Sequence, residues 1–580
     1  MRIVQIFVVA LAVAALNHHT SGREIQNFDH DWRFHFGEVE NGKTLDFDDS
    51  KWRTLDVPHD WMIEKSFDEY SPGNAEGGSL DGGVGWYRKT FTLPKSAQGQ
   101  RVFVDFDGVY MNSDVWLNGV HLGNHPYGYT SFEYDLTPSI KFDALNVLAV
   151  RTEVMQPCSR FYSGGGIYRN VRLVVTDPIH IAHWGTTVTS EIDGDHATIH
   201  VATSLVNDGS ENVPVDVEDT VIDDTGKSVA SVTTKGVRVD HATTQSTELK
   251  PQIKIGSIKR WSIETPTLYH LRTDVIRDGK IIDSVDTSFG LRTAEFTVND
   301  GFHLNGKRVE IHGVCDHHDL GCLGSAINTR ALERQLQILR GFGVNAIRTS
   351  HNPPAPELLD LCDRMGFVVM DEAFDEWRDS KRELGYGRFF DQWANKDLSS
   401  MILRDRNHPS VVVWSIGNEI REQSSMADGY ALSKQLTDVC HQLDPTRPVT
   451  AAMHTPVDAV RTRFSEPLDV FGVNYNVRFY DNPAVHGKKP MVGSETSSEV
   501  SSRGEYCMSL VDGEVATTQR ANFQVSNYNG YVPSWATSAD TDLRSTRDAT
   551  WMAGDFVWTG FDYIGEPTPF GWPSRSSYFG

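Results

Sequence analysis

Positively charged residues are scarce in this sequence relative to acidic ones. The 580 residues include 54 Lys and Arg against 78 Asp and Glu, which gives a formal net charge of −24. A surface of this sign repels phosphate backbones and anionic membranes, so neither nucleic acid nor a membrane is an expected partner. A neutral substrate fits this charge better.

Cysteine is also rare, and the usual metal-binding patterns are missing. The six cysteines are scattered and form no Cys-x-x-Cys pair, and no His-Glu-x-x-His motif occurs. A chain of this length does not need a disulfide framework, and the spacing suits no zinc site. We therefore interpret the cysteines as buried or idle thiols, and we expect no metal and no cofactor.

Long apolar runs are missing, with one exception at the N-terminus. Arg2 precedes a mainly apolar segment of 14 residues, 3–16, which is followed by polar residues. As a helix this segment spans about 21 Å, short of the ~30 Å membrane core. It predicts a secretory signal peptide over residues 1–22, with a buried N-terminal strand or helix as the alternative. The absence of an Asn-x-Ser/Thr sequon favours an exported bacterial protein, either secreted or periplasmic.

Two successive regions show the pattern of β-structure. Within residues 23–176, segments such as 86–93 and 101–106 alternate with period two, and Asn118-Gly119 is typical of a hairpin turn. This pattern predicts a jelly-roll β-sandwich. Residues 177–293 are rich in Val, Thr and Asp and poor in aromatic residues, which favours an immunoglobulin-like β-sandwich.

From residue 294 to residue 580, helical stretches alternate with short apolar strands, which is the pattern of a parallel α/β sheet. One helix is predicted from Leu332, Leu336, Leu339 and Phe342, which share a face, with Gly343 as its stop. The pattern predicts a (β/α)8 TIM barrel with eight strands. The predicted strands are 309–313, 344–349, 368–371, 411–416, 449–453, 470–475, 491–494 and 555–558.

Polar or aromatic residues follow every one of these strands, at the end where barrel active sites lie. Among them Glu419 follows the fourth strand and Glu495 follows the seventh, so the two should face each other across the mouth. Hydrolysis of a glycosidic bond uses one carboxylic acid and one carboxylate in this way. We expect burial beside an ionised Glu495 to raise the pKa of Glu419, as suits a general acid.

Other interpretations of these residues are structural. Glu419 and Glu495 could be ordinary carboxylates paired with Arg348 or Arg421. The Asp371-Glu372 pair could hold a cation, but a salt bridge or a clamp on sugar hydroxyls suits it better, because hard cations need more oxygen ligands.

Several motifs resemble glycoside hydrolase family 2, the group of β-galactosidases, β-glucuronidases and β-mannosidases. They are VPHDW (57–61), SGGGIYRNV (163–171), FGLR (289–292), NAIRTSHN (345–352), WSIGNE (414–419) and WTGFDY (558–563). The resemblance covers nearly the whole chain after residue 22. It implies a sugar-binding role for the first sandwich, 23–176, and a catalytic role for the barrel, 294–580.

The resemblance also implies a retaining double displacement, with Glu419 as acid/base and Glu495 as nucleophile. Tyr475 would support the nucleophile, and Asn418 would contact the sugar 2-hydroxyl. The implied substrate-binding residues are His317, His351, Asn418, Tyr475, Trp558 and, as a weaker match, Asp562. The loop around Arg160 resembles one that reaches over the barrel mouth.

The strings HHDLG (317–321), DEAFDEW (371–377) and GEPTP (565–569) are most similar to the exported bacterial β-galactosidase-like branch. There are two departures. Well-known β-galactosidases carry a magnesium-binding Glu and His after the third strand, where this chain has Glu376 and Arg378. Only residues 564–580 follow the eighth strand, so we expect a fragment or truncated product that lacks the last barrel helix.

The sequence as a whole predicts an exo-acting enzyme that removes terminal β-D-galactose from an oligosaccharide or glycoside. A β-glucuronidase or β-mannosidase is an alternative, although the sequence shows no basic clamp for a uronate. A non-catalytic carbohydrate-binding relic is a second alternative. The aglycone, the exact glycone and the oligomeric state stay open.

Overall fold

The computed structural model describes residues 22–241, 247–506, 523–527 and 531–580. The predicted signal peptide lies outside the described residues except for Gly22. Among the helices of the described part, none is both long enough and apolar enough to cross a membrane.

The first ten strands form a β-sandwich, as predicted. They are β1 (Glu24–Asn27), β2 (Trp32–Phe36), β3 (Arg53–Leu55), β4 (Gly83–Thr92), β5 (Arg101–Phe106), β6 (Ser113–Leu117), β7 (Val120–His125), β8 (Phe132–Asp135), β9 (Leu145–Val154) and β10 (Val171–Thr176). One sheet has the order β1-β10-β5-β8 and the other β3-β2-β4-β9-β6-β7. Alternate residues of β5 (Val102, Val104 and Phe106) are buried between the sheets. Asn118 and Gly119 join β6 to β7 with positive φ angles, as a tight hairpin requires.

The next eight strands form a second sandwich, also as predicted. They are β11 (Ile179–Asp193), β12 (His196–Asn207), β13 (Val213–Ile222), β14 (Ser228–Val239), β15 (Thr247–Leu249), β16 (Gln252–Gly256), β17 (Tyr269–Arg277) and β18 (Lys280–Phe289). In one sheet β12 pairs with β11, β15 and β16, and the other has the order β14-β13-β17-β18. A small sheet of β19 (Ala294–Thr297), β20 (Gly301–Leu304) and β21 (Lys307–Arg308) follows.

A closed parallel barrel of eight strands confirms the predicted TIM barrel. Its strands are β22 (Ile311–Asp316), β23 (Ala346–Thr349), β24 (Val368–Glu372), β25 (Val411–Asn418), β26 (Val449–Met453), β27 (Phe471–Asn474), β28 (Met491–Ser497) and β29 (Met552–Trp558). The helices are α1 (Thr329–Gly341), α2 (Pro356–Met365), α3 (Gly387–Asp405), α4 (Gly429–Leu443), α5 (Pro456–Arg461) and α6 (Ala539–Asp548). Short 3₁₀ turns lie at Lys95–Ala97, Gly321–Leu323, Arg421–Ser424 and Val477–Phe479.

Helix α1 begins after a capping residue but ends earlier than its apolar pattern indicates. The Asn328 side chain accepts a hydrogen bond from the amide of Ala331 at 3.0 Å, which caps the helix. Leu336 and Leu339 are buried, whereas Phe342 is 82% exposed. The prediction that Phe342 shares the buried face is wrong, because the helix ends at Gly341 and the chain turns at Gly343, whose φ is +87°.

The first sandwich is attached to the barrel next to the carboxyl ends of its strands. The buried guanidinium of Arg169 donates to the carbonyls of Pro353 and Pro354, which follow β23. The hydroxyl of Tyr127 donates to the carbonyl of Ala373, which follows β24, at 2.6 Å. These contacts fix the position of sandwich loops over the barrel mouth.

Candidate active site

A cavity of about 700 Å³ opens at the carboxyl ends of the barrel strands. This is within the usual size of a small-molecule site. Its lining consists of Glu76, Arg160, His351, Glu419, His454, Tyr475, Asn476, Glu495, Ser498, Ser534, Trp535, Trp558, Glu566, Thr568 and Phe579. The structure therefore brings the two predicted carboxylates into one cavity, with the predicted residues His351, Tyr475 and Trp558.

Glu495 lies near the end of β28 and is held by two side chains. Arg348 donates to its carboxylate at 2.7 Å, and the Tyr475 hydroxyl donates to the other oxygen. Burial raises the pKa of Glu495 to about 7, and Arg348 opposes this rise, while the negative charge of Glu419 adds to it. The carboxylate is thus oriented by Arg348 and Tyr475, as a nucleophile has to be.

Arg348 is fully buried and connects Glu495 to a second acidic residue, Glu372. The Arg348 guanidinium donates to Glu372 at 2.9 Å, and Glu372 also contacts the His351 ring at 2.8 Å. A further bond from Arg348 goes to the Asn418 side-chain oxygen at 2.8 Å. Glu372 thus forms a salt bridge, one of the interpretations left open for the Asp371-Glu372 pair.

Glu419 directly follows β25 with a positive φ of 46°. Its carboxylate accepts a hydrogen bond from Asn474 at 3.2 Å and, among the described residues, makes no ion pair. Burial raises the pKa of Glu419, but Arg160, Lys381 and His454 together bring it below its ordinary value. The predicted upward shift is therefore wrong for the free protein, because cations from two distant loops lie close to this carboxylate.

These two cations belong to an ionic cluster centred on Asp375, which follows β24. Arg160, from the first sandwich, contacts the Asp375 carboxylate at 3.0 Å, and Lys381 contacts it at 2.8 Å. Arg160 also lies 3.6 Å from Glu566, in the segment after β29. Although burial alone raises the pKa of Asp375, Arg160 and Lys381 hold it well below its usual range. Both cations are thus paired with carboxylates.

The sequence interpretation gave none of Asp375, Lys381 and Glu566 a role. Asp375 lies three residues beyond the end of β24, and Glu566 lies eight residues beyond the end of β29. Following each strand-end loop further along the chain would have included them as candidates. Nothing in the sequence indicates that Lys381 turns back toward Asp375.

Aromatic rings form another wall beside Glu495. The His351 ring stacks on Trp558 with a centroid separation of 5.2 Å and an angle of 4°. His317 packs against Tyr563 at 4.1 Å and Phe161 at 4.3 Å. Burial lowers the pKa of both histidines well below the ordinary value, so both are neutral. Among the described residues, neither ring nitrogen of His317 has a hydrogen-bond partner.

The other predicted binding residues differ in position. Asn418 is buried and donates from its side-chain nitrogen to Asp375 at 3.1 Å. Asp562 does not line the cavity, and its carboxylate accepts hydrogen bonds from Ser577 at 3.1 Å and from the Gly580 amide at 3.0 Å. The Asp562 carboxylate is thus engaged with the chain segment after β29, and its role in substrate binding stays a prediction.

Glu376 and Arg378, which stand where well-known β-galactosidases bind magnesium, are not arranged to hold a cation. The Glu376 carboxylate accepts hydrogen bonds from the backbone amides of Lys381 and Tyr386. Arg378 carries a positive charge and forms an ion pair with Asp391 at 2.7 Å. Within the ranges that the structure describes, no group of three or more His, Cys, Asp or Glu side chains is arranged to hold a metal ion.

Comparison with known families matches three models along the chain. The sugar binding domain of glycosyl hydrolases family 2 matches residues 25–178, the model described as glycosyl hydrolases family 2 matches 179–292, and the TIM barrel domain of the same family matches 296–566.

Individual relatives agree with this match. A Bacteroides ovatus protein named Beta-galactosidase BoGH2A is 47% identical, covering 97% of this chain and 70% of the relative. A putative beta-glucuronidase of Formosa agariphila is 33% identical, covering 96% of this chain and 54% of the relative. The crystal structure of a glycosyl hydrolase family 2 member from Bacteroides cellulosilyticus superposes with a TM-score of 0.84 at 38% identity, covering 93% of this chain and 65% of that one. The chain thus spans between about half and 70% of these relatives.

Proposed function

This chain belongs to glycoside hydrolase family 2 and is a glycoside hydrolase acting on O-glycosyl bonds, and we propose that it removes terminal β-D-galactose from the non-reducing end of its substrate. We further propose a retaining double displacement with Glu495 as nucleophile and Glu419 as acid/base. The arrangement that carries this proposal is two carboxylates lining one cavity, of which only Glu495 is held by an arginine and a tyrosine.

In the first step, a carboxylate oxygen of Glu495 attacks the anomeric carbon while Glu419 gives its proton to the departing glycosidic oxygen. The bond to the aglycone breaks, and a galactosyl ester of Glu495 forms. In the second step, Glu419 takes a proton from a water molecule, whose oxygen displaces Glu495 from the same carbon. Two inversions return the original configuration, and Glu419 is protonated again.

The pair must hold one proton for this cycle to begin. In the free protein that proton resides mainly on Glu495, because Arg160 and Lys381 favour the ionised form of Glu419. The reactive arrangement, with Glu495 ionised and Glu419 protonated, is then the less populated form of the same one-proton state.

Charge pairing around the cavity supports a neutral sugar. A uronate carboxylate needs an available cation, and Arg160 and Lys381 are already paired with Asp375. Binding of a uronate would also place the negative charge of its carboxylate near Glu419, Glu495 and Glu566. This pairing favours galactose over glucuronate.

A β-glucuronidase is the second candidate, and it has two observations in its favour. Arg160 lines the cavity, and relatives such as the Formosa agariphila protein are named as putative beta-glucuronidases. If Arg160 exchanged Asp375 for a sugar carboxylate, a uronate could bind at the same place.

The deciding experiment is nitrophenol release from a panel of aryl β-glycosides, including the galactoside, glucuronide and mannoside. The test protein is residues 23–580, and Glu495→Gln is its matched control. Galactoside turnover that is lost in Glu495→Gln would support the glycone and the nucleophile together. Turnover of the glucuronide alone would refute the galactose proposal and keep the mechanism. A folded protein that turns over none of the panel would favour a binding relic.

Export is a separate proposal that rests on residues 1–22 of the sequence. Expression of residues 1–580 in a Gram-negative host, followed by N-terminal sequencing of the periplasmic fraction, tests it. Recovery of only uncleaved protein from the cytoplasm would refute it.

A further inference from the structure

The cavity is larger than one sugar ring needs. Its volume of about 700 Å³ lies in the upper half of the usual range of about 300–1,000 Å³ for small-molecule sites. The galactose proposed above fills only part of this volume.

The inner and outer parts of the lining differ in burial. The inner residues His351, Glu495 and Trp558 come from the barrel strand ends and are buried. At the outer part, Trp535 is 49% exposed, and the side chain of Glu76 is 44% exposed. This gradient places Glu495 deep in the cavity and Trp535 toward solvent.

Three separate segments of the chain contribute lining residues besides those at the barrel strand ends. Trp535 belongs to the connection between β28 and α6, Phe579 to the segment after β29, and Glu76 to the first sandwich between β3 and β4. The backbone carbonyl of Glu76 accepts a hydrogen bond from the amide of Glu566 at 3.2 Å, and the Glu76 side chain forms an ion pair with Arg382. These two contacts hold Glu76 beside the segment after β29 and the loop after β24.

Trp535 is unusual among the tryptophans of this protein. All 14 lie within the described residues, and Trp535 is the only one of them that is exposed. A large indole that is left half open to water in a cavity wall offers an apolar face, and the axial C–H groups of a pyranose pack well on such a face. Glu76, which lines the same cavity, offers a carboxylate acceptor for ring hydroxyls.

We propose that Trp535 is the platform of an aglycone subsite that takes a second neutral pyranose, so that the substrate is a galactosyl oligosaccharide. This inference rests on the glycosidase function proposed above. Trp535 acts here as a specificity residue, because it touches the leaving sugar and not the reacting atoms.

The test compares a substrate that has a leaving sugar with one that has none. Lactose offers a glucose aglycone, whereas β-galactosyl fluoride offers only a fluoride ion. We expect Trp535→Ala to lower kcat/KM for lactose by about 3- to 10-fold, as the loss of one stacking contact does, and to leave the fluoride value within about twofold. Trp535→Phe keeps an aromatic face and should stay within about threefold on both substrates.

Tyr70→Ala is the matched control variant. Tyr70 is 87% exposed on the same sandwich segment as Glu76 and does not line the cavity. Tyr70→Ala should change kcat/KM for neither substrate. An effect seen only in Trp535→Ala then cannot come from the loss of any exposed aromatic ring. Unchanged fluoride turnover in Trp535→Ala also shows that the variant is folded.

A second measurement uses the trapped galactosyl enzyme made with a 2-deoxy-2-fluoro-galactoside. Glucose that binds the subsite should accelerate release of the trapped sugar by accepting it, and this acceleration should saturate. In Trp535→Ala, saturation should need several-fold more glucose. Equal acceleration in both proteins would contradict a sugar platform at Trp535.

The outcomes separate this inference from the proposed function. If the unaltered protein hydrolyses no β-glycosyl fluoride, the proposed function has failed. If the unaltered protein hydrolyses the fluoride, the proposed function stands. The aglycone inference is then overturned if Trp535→Ala lowers kcat/KM for lactose and for the fluoride equally, or lowers neither value. If the aryl panel identifies another glycone, the matched fluoride and disaccharide of that sugar replace these two.

Discussion

Replacing Glu419 by alanine tests the two-carboxylate mechanism through its pH dependence. In the free protein, burial raises the pKa of Glu495 to about 7, Arg348 opposes the rise, and the ionised Glu419 adds to it. Since the reactive pair holds one proton, kcat/KM of the unaltered protein should fall above about pH 7, where that proton leaves. The acidic limb should lie below the ordinary range of a glutamate, because Arg160 and Lys381 lower the pKa of Glu419.

The size of the effect follows from these pKa values. Each pH unit above the pKa removes about nine tenths of the one-proton form, so kcat/KM should be roughly 100-fold below its maximum at about pH 9. In Glu419→Ala, the dinitrophenolate group of a dinitrophenyl galactoside departs without help from an acid. Cleavage of this substrate therefore needs only ionised Glu495. The missing negative charge also lowers the pKa of Glu495. For this variant kcat/KM should rise with pH and reach a plateau below about pH 7.

The assay is initial dinitrophenol release at low substrate concentration between about pH 4 and about pH 9, where kcat/KM reports the free protein. Glu466→Ala is the control, because Glu466 pairs with Arg463 at the surface and should keep the two-limbed profile. An alkaline limb that persists in Glu419→Ala would belong to some other group. The reasoning that the two glutamates share one proton would then be wrong.

Three further perturbations have expected results. Arg348→Met leaves Glu372 and Glu495 buried without their cation. The free energy of unfolding should therefore fall by about 3–5 kcal/mol, and turnover should be lost. An unchanged Tm in thermal unfolding would contradict the buried ion pairs. Asn328→Ala removes the cap of α1 and should lower the free energy of unfolding in urea by about 1 kcal/mol, with kcat unchanged. An unchanged free energy of unfolding would mean that the cap does not stabilise the helix. Dialysis against a chelator should leave turnover within about twofold of its starting value, because Glu376 is engaged by backbone amides; restoration of lost activity by added magnesium would refute this.

Local patterns were sufficient to predict the fold. The eight barrel strands are short apolar segments separated by polar turns, and all eight appear within a few residues of their predicted positions. The spacing of buried leucines likewise predicted α1, and Asn118-Gly119 predicted a hairpin. Such elements are predictable because their periodicity and turn chemistry depend on neighbouring residues. The position of Phe342 was wrong, since the end of a helix depends on where the chain turns.

The sequence by itself also placed Glu419 and Glu495 on one rim, because all parallel strands of a barrel end at the same face. It did not determine how these carboxylates are charged. Arg160 and Asp375 are 215 residues apart in the chain and yet in contact, and Arg160 is also close enough to Glu419 to help lower its pKa. The half-exposed Trp535 likewise lines this cavity together with residues from distant segments of the chain. Electrostatic and packing interactions depend on distance in space, so only the tertiary structure decided the protonation of the pair and the shape of the cavity around it.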